Sequence, residues 1–283
     1  MKQVIKPGAS GGPGAPLRVV VFTGGPVLED ACVTLIGRIE ATPGLELTGV
    51  FCAARETGLG GIVRDLFRRR KWLAPALLAQ RALRRLIQML RAPSQAQARR
   101  HTLRALAPRI HFVADLHARE VLVQLEALRP AIGAVYGGPI LRPALFDIPA
   151  QGTIGIHHGL LPHYRGKKTT FWAVHNGEAQ VGVAIQRIGA GLDRGDILRA
   201  AMLPVGRRPL PSLVRELERV GLDLYLAALG DLQRGEARFR PQPSGGGPMW
   251  KDPRPVEIAR FWLRDLRRLL GWRRRGTARS AGR

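Results

Sequence analysis

Cysteine is nearly missing from this chain: Cys32 and Cys52 are its only two, in stretches that read as a helix and a strand. So low a count excludes a disulfide framework, and no Cys/His spacing suits a zinc site. Each thiol is expected as a small buried apolar group. Lysine is scarce as well. Only six of the 45 cations are lysine (Lys2, Lys6, Lys71, Lys167, Lys168 and Lys251), and 21 acids leave a formal net charge of +24. Part of that skew fits arginine-favouring codons, but the resulting field attracts nucleic acid, anionic lipid or phosphorylated substrates. No apolar run approaches the roughly 18 residues of a membrane span. The Gly/Pro-rich stretch 7–16 breaks the N-terminal segment before a signal-peptide core could form. The expectation is a cytoplasmic protein, with peripheral contact at the inner membrane surface left open.

What is there suits a globular α/β chain. Its 283 residues, 45% of them apolar, can bury a large core. The near-continuous apolar run 17–22 reads as a strand buried on both faces; a helix over 28–40 and a strand over 45–52 complete a β-α-β unit that predicts a parallel sheet. Gly24-Gly25 between them suits either a tight turn or a phosphate seat. From 55 to 109 the pattern turns helical and basic, with arginines at 68–70 and an apolar face at Leu83, Leu86, Ile87 and Leu90. Strands follow at 110–113 and 131–136 around a helix at 118–128. His101, His111 and His117 have no paired metal spacing and are expected to make local hydrogen bonds.

The chemistry concentrates between Gly152 and Leu198. In Thr153-Ile154-Gly155-Ile156-His157 the apolar residues alternate, so Gly155 and His157 share one strand face and His158 points to the other if the strand continues. Leu160-Leu161-Pro162 closes that strand, and Tyr164-Arg165-Gly166 reads as a turn. Lys167-Lys168 precede Thr169-Thr170, which are suited to N-cap a helix running to His175 and stopped by Asn176-Gly177. A strand over 182–188 leads into Gly189-Ala190-Gly191-Leu192-Asp193-Arg194-Gly195-Asp196. A histidine at a strand end and an aspartate in a neighbouring glycine loop are the parts of an acid/base pair.

This order of elements resembles the signature of the folate-dependent formyltransferases, the family of glycinamide ribonucleotide, methionyl-tRNA and amino-sugar formyltransferases. The family's usual form is Asn-x-His-x-Ser-Leu-Leu-Pro-x-Tyr-Arg-Gly, then a helix, then Leu-Asp-x-Gly. Here it stands as Gly155-Ile156-His157-His158-Gly159-Leu160-Leu161-Pro162-His163-Tyr164-Arg165-Gly166, then Leu192-Asp193-Arg194-Gly195. The resemblance implies an α/β, Rossmann-like fold with a mainly parallel sheet flanked by helices, and 10-formyl-tetrahydrofolate as donor to the amine of an acceptor. It makes His157 and Asp193 the catalytic pair. It assigns the donor to Gly138, Pro139, Ile140 and Leu141, in the loop 137–143, and to Gly191 and Leu192. Gly155, His158, Arg165, Lys167 and Lys168 become the residues facing the acceptor, and no metal is implied. One departure stands out: Gly155 occupies the position of the family's catalytic Asn and has no amide to offer an oxyanion.

After a helix over 210–232, a strand-like 237–241 and a Gly-rich linker, an amphipathic segment over 256–275 is expected to set Ile258, Phe261, Trp262, Leu266, Leu269 and Leu270 against Arg260, Arg264, Arg267 and Arg268. The expected organisation is a disordered lead over 1–16, a formyltransferase-like domain over 17–243 with a basic helical insertion at 55–109, and a linker with a basic helix over 244–283. Too few residues follow for the β-barrel by which methionyl-tRNA formyltransferases hold tRNA. A small acceptor, such as an amino sugar or a nucleotide- or lipid-linked sugar, is therefore expected. Two other readings stay open: a non-catalytic binding protein of this fold, favoured by Gly155, and a protein that binds RNA or an anionic membrane surface through its basic helices.

Overall fold

A computed structural model describes residues 15–25, 27–54, 93–243 and 246–269. The chain forms two compact units, Met1–Ile154 and Gly155–Arg283, with the division falling inside one strand.

The first unit is built on strand β1 (Leu17–Gly24), helix α1 (Asp30–Ala41) and strand β2 (Leu45–Ala53). Val19, Val20, Val21 and Phe22 are all buried, as a strand covered on both faces requires. β1 pairs in parallel with β2 on one side and with β4 (Ile132–Val135) on the other, and β2 pairs in parallel with β3 (Ile110–Val113). The parallel sheet expected from the β-α-β pattern is thus present. Helix α1 closes one face with Cys32, Val33, Leu35, Ile36 and Ile39, so Cys32 is a core residue and burial pushes its thiol up to about 11. Cys52 is buried too. Arg18 clamps Glu46 through two bonds of 2.7 and 2.9 Å beside the β1–β2 pair.

Of the stretch expected as a basic insertion, 55–92 lies outside the described residues, and with it the arginine run and the apolar face at 83–90. Its end forms helix α2 (Pro93–Leu106) and a one-turn 3-10 helix (Ala107–Arg109) that leads into β3. Helix α3 (Arg119–Ala127) and a short helix α4 (Pro143–Phe146), the latter without a sequence signal, complete the unit.

Strand β5 (Thr153–His157) carries the chain into the second unit. There the ribbon β6 (Arg165–Gly166), helix α5 (Thr169–Asn176), strands β7 (Gln180–Arg187) and β8 (Ile197–Pro204), helix α6 (Leu210–Gln233), strand β9 (Met249–Trp250) and helix α7 (Pro255–Leu269) follow in order. β7 and β8 are antiparallel. Of the residues expected on the core face of helix α6, Leu213, Leu217 and Leu232 are buried and Val220 and Leu224 partly so; Tyr225 and Leu229 are buried beside them. Gly221 lets the helix come close: a Cβ there would stand 2.6 Å from Cδ1 of Ile156 and 3.0 Å from Cγ2 of Val183.

The expected turn at Tyr164-Arg165-Gly166 is instead β6, paired in parallel with β9. Aromatic packing explains why: Trp250 stacks on Tyr164 at 5.7 Å and on Trp172 at 4.6 Å, pulling the two short segments together. The strand expected at 237–241 reduces to a single bridge between Arg240 and Ile197. In α7 the expected faces also change. Phe261 is buried against Phe171, 4.7 Å between centroids, whereas Ile258, Trp262 and Leu266 are exposed. Arg264 and Arg268, expected on the solvated side, donate to carbonyls of the unit, at His175 (3.2 Å) and at Gly206 (2.6 Å) respectively.

Candidate active site

β5 ends on His157, which is buried, and its two ring nitrogens face two acceptors. Nε2 lies 2.7 Å from the carbonyl oxygen of Tyr164, and Nδ1 lies 3.4 Å from Oδ1 of Asp193. A carbonyl oxygen can only accept, so Nε2 carries a hydrogen. In the neutral ring Nδ1 then turns a lone pair toward a carboxylate, and a second proton, on Nδ1, lets that side of the ring donate to Asp193 as well. The pair is therefore built to accept a proton and to compensate the charge that comes with it.

Asp193 is fixed from three sides. The backbone N–H of Gly166 donates to Oδ2 at 2.8 Å, and the Gln186 side-chain amide donates to Oδ1 at 3.2 Å. Its φ of 53° is left-handed, a conformation aspartate tolerates better than most residues. The amide nitrogen of Gln242 braces the same loop, reaching the carbonyls of Asp193 (3.2 Å) and Gly195 (2.7 Å) and Oε1 of Gln186 (3.1 Å). Neither glutamine was singled out from sequence. Gln186, buried among apolar neighbours on β7, carried a signal, because a polar side chain in a covered strand must find a partner. Gln242, on a segment without periodicity, carried none. The ribbon β6–β9 aims the Gly166 amide at Asp193; a Cβ on Gly166 would lie 2.3 Å from the carbonyl oxygen of Trp250, so only glycine fits there.

The other expected acceptor contacts are distributed differently. His158 turns away from His157, and its Nε2 lies 3.7 Å from the Cβ position of Gly221 in α6, with no hydrogen-bond partner. Burial, followed by the neighbouring His157, pushes its imidazole down to about 4, so the ring is neutral. His158 is a packing residue rather than an acceptor contact. Arg165 is buried and donates to the carbonyls of Gly246 (3.3 Å) and Gly247 (2.5 Å), which ties the linker to the site instead of pointing a charge at a ligand. Lys167 is exposed and pairs with Asp252 at 3.4 Å. Lys168, at φ 54°, is itself the N-cap of α5, without a side-chain capping bond. Thr169 and Thr170, expected as caps, lie in the first turn, and both hydroxyls bond the carbonyl oxygen of His158. That frees the helix start from a threonine cap but fixes the chain just after His157. Gly155 is buried on β5. In the aspartate loop Leu192 is exposed, and the Arg194 side chain packs beside Gly191.

In the first unit, the loop containing Gly138, Pro139, Ile140 and Leu141 is anchored at both ends. The Gly24 amide and the Thr23 hydroxyl both donate to the carbonyl of Gly137, at 2.9 and 3.0 Å. The Arg142 amide donates to Nε2 of His117 at 3.0 Å, while Nδ1 of His117 contacts Asp115 at 3.1 Å. His117 thus does the local bonding expected of it. Gly24 ends β1, and the Gly25 amide is engaged by the carbonyl of Ala53 at 3.1 Å. Leu141 is buried, while Ile140 is 72% exposed. Among the described residues no group of His, Cys, Asp and Glu could hold a metal ion.

Residues 88–212 match the family model described as Formyl transferase. A methionyl-tRNA formyltransferase from Chloroflexus aggregans is 40% identical over 153 residues, covering 53% of this chain and 48% of that protein. Another, from Citrifermentans bemidjiense, is 34% identical over 151 residues, covering 53% of this chain and 46% of that protein. The chain thus spans about half the length of the curated relatives it matches. A solved sugar N-formyltransferase from Shewanella sp FDAARGOS_354 superposes with a TM-score of 0.56 at 12% identity, covering 88% of each chain. Phosphoribosylglycinamide formyltransferase from Bacillus halodurans gives 0.52 at 16% identity, over 76% of this chain and 94% of that one. At such identities the likeness is one of fold, and it is the mainly parallel α/β fold described above.

Proposed function

The chain belongs to the formyl transferase family through its residues 88–212, and we propose that it transfers a formyl group from 10-formyl-tetrahydrofolate to the amine of a small acceptor, with His157 and Asp193 as its catalytic pair. The observation that carries this reading is the His157 ring between two acceptors, Asp193 on one side and the Tyr164 carbonyl on the other. When bound, the folate supplies an activated formyl carbon and a leaving nitrogen. As the acceptor nitrogen bonds to that carbon it gives up one proton, and the leaving nitrogen gains one when the old carbon–nitrogen bond breaks. His157 is equipped to hold that proton in between, with Asp193 balancing the imidazolium.

The exposed Leu192, in the aspartate loop, is a proposed contact of the donor. Lys167 and Lys168, at the start of α5, remain the proposed contacts for an acceptor that carries phosphate, as a nucleotide- or lipid-linked amino sugar does. Incubation with labelled formyl donor and a panel of amines, including amino sugars, nucleotide-linked amino sugars and methionyl-tRNA, tests the reading. Transfer to a sugar amine is the expected outcome, and transfer to methionyl-tRNA alone would overturn the acceptor class. Gly155, which removes the amide at the family's Asn position, favours a second reading in which the fold binds folate without turnover. Tight donor binding with no transfer to any amine would establish that alternative.

A further inference from the structure

Helix α7 docks on the second unit through one side only. Phe261 is 2% exposed, Asp265 is buried and takes the Arg268 guanidinium, and Arg268 also donates to the carbonyls of Gly206 and Arg208 at 2.6 and 2.7 Å. The helical repeat places Ile258, Trp262 and Leu266 in one row on another side, with Leu263 and Val256 beside it. Those five side chains are exposed, Trp262 by 60%, Leu263 by 64% and Leu266 by 57%. Single exposed apolar residues need no explanation, but a continuous face of five on one helix does.

One border of that face carries positive charge. Arg260 and Arg264 are exposed along one edge of it. The neighbouring carboxylates are engaged within the protein: Glu257 with Arg254, Asp265 with Arg268, and Asp252 with Lys167. A second copy of this chain meeting the face with the two helices antiparallel would bring the arginine edges together. RNA would answer the arginines but gain little from isoleucine and leucine. An anionic lipid surface satisfies both features, since acyl chains take the apolar row and phosphates take the guanidinium groups. Among the described residues no helix is long and apolar enough to cross a membrane.

We propose that the exposed face of α7 docks in the plane of an anionic phospholipid surface, with Ile258, Trp262, Leu263 and Leu266 at the acyl boundary and Arg260 and Arg264 at the phosphates. This assignment is independent of the formyl-transfer reading and concerns how the protein is held, not what it catalyses. The test is co-sedimentation of the full chain with phosphatidylcholine vesicles, with and without phosphatidylglycerol. Binding at least tenfold tighter to the phosphatidylglycerol vesicles is expected. The double variant W262E/L266E should lose at least tenfold of that affinity, and Arg260→Glu should weaken it severalfold, with unchanged far-ultraviolet circular dichroism. Undiminished binding by the double variant, or equal binding to neutral vesicles, would overturn the proposal. So would a wild-type dimer in sedimentation velocity that the double variant converts to monomer, which would make the face a contact between copies, or an RNA complex lost in the same variant.

Discussion

Gly159 makes the space that lets the His157 ring reach the Tyr164 carbonyl: a Cβ on Gly159 would stand 2.5 Å from Nε2 of His157 and 2.4 Å from the Tyr164 oxygen. Neither approach is tolerable, and because one of the two neighbours is backbone, the imidazole is the group that must give. Gly159→Ala is therefore expected to lengthen or break the 2.7 Å contact. Overpacking of this kind costs about 1–3 kcal/mol. Chemical denaturation should register that loss, and formyl transfer should fall at least tenfold. Unchanged stability and turnover would show that the ring does not rest against Tyr164 in solution.

His157→Ala and Asp193→Asn separate the two members of the pair. The first removes the proton carrier and should cut transfer by about a hundredfold or more. The second keeps a side chain that tolerates the left-handed backbone at φ 53° and can still accept from Gly166, but it removes the charge that balances an imidazolium. Its rate should fall by a similar factor with the melting temperature nearly unchanged. Full activity in either variant, measured with saturating donor and acceptor, would remove the proposed site.

The parts of this site legible in the sequence are those that local pattern encodes. Period-two alternation gave β5 its bounds and its faces, with His157 on one side and His158 on the other, and Asn176-Gly177 marked the end of α5 through the left-handed Gly177 at φ 84°. What stayed hidden depends on residues far apart in the chain. Gln242 reaches Gln186 across 56 positions, and Arg165 reaches Gly246 across 81. No window of sequence contains both partners. The β6–β9 ribbon was hidden for the same reason, since its two-residue strands are held by the stacking of Trp250 on Tyr164 and not by propensity. Helix α7 shows a different limit: the apolar residues expected on one face are divided, Phe261 docked and Ile258, Trp262 and Leu266 exposed, because the partners of Phe261 and Arg268 decide which side docks.

Arg165→Met should report on the linker. The substitution leaves the half-buried carbonyls of Gly246 and Gly247 without the guanidinium that serves them, at a cost on the order of 1 kcal/mol. Because Gly166 is the next residue and holds Asp193, turnover should fall along with stability. A loss of stability with unaltered kcat would show that the linker tie and the Asp193 bond are independent.

His158 gives the protein an acid sensitivity of defined sign. Its imidazole, ordinarily near 6.5, is pushed to about 4 by burial. Between those values the unfolded chain binds more protons than the folded one, so the full stability is present above pH 6.5 and is lost as pH falls toward 4. At about 1.4 kcal/mol per pKa unit, the loss across the window is on the order of 3 kcal/mol. His158→Gln removes the titrating group, and its urea midpoint should decline less between neutral pH and pH 4.5 than that of the wild type. Parallel declines in the two proteins would mean that His158 is solvated.

Gly155→Asn decides between the two readings of the site. Gly155 and His157 occupy the same face of β5, so an asparagine there would set an amide beside the imidazole, where the family's pattern has one. An oxyanion left without such a donor loses roughly 3 kcal/mol, a hundredfold or more in rate. If the chain were a decayed enzyme missing only that donor, restoring it would raise transfer. The rest of the machinery argues otherwise. Asp193 is still held by Gly166 and Gln186, His157 still stands between two acceptors, and Gln242 still braces the loop. A site that keeps these restraints while dispensing with the amide has its donor supplied by the acceptor or by water, in the space that asparagine would fill. Gly155→Asn is expected to lower formyl transfer at least tenfold, with circular dichroism and melting temperature showing the fold intact. A rise in the rate of transfer would overturn this account and mark the wild-type site as degraded.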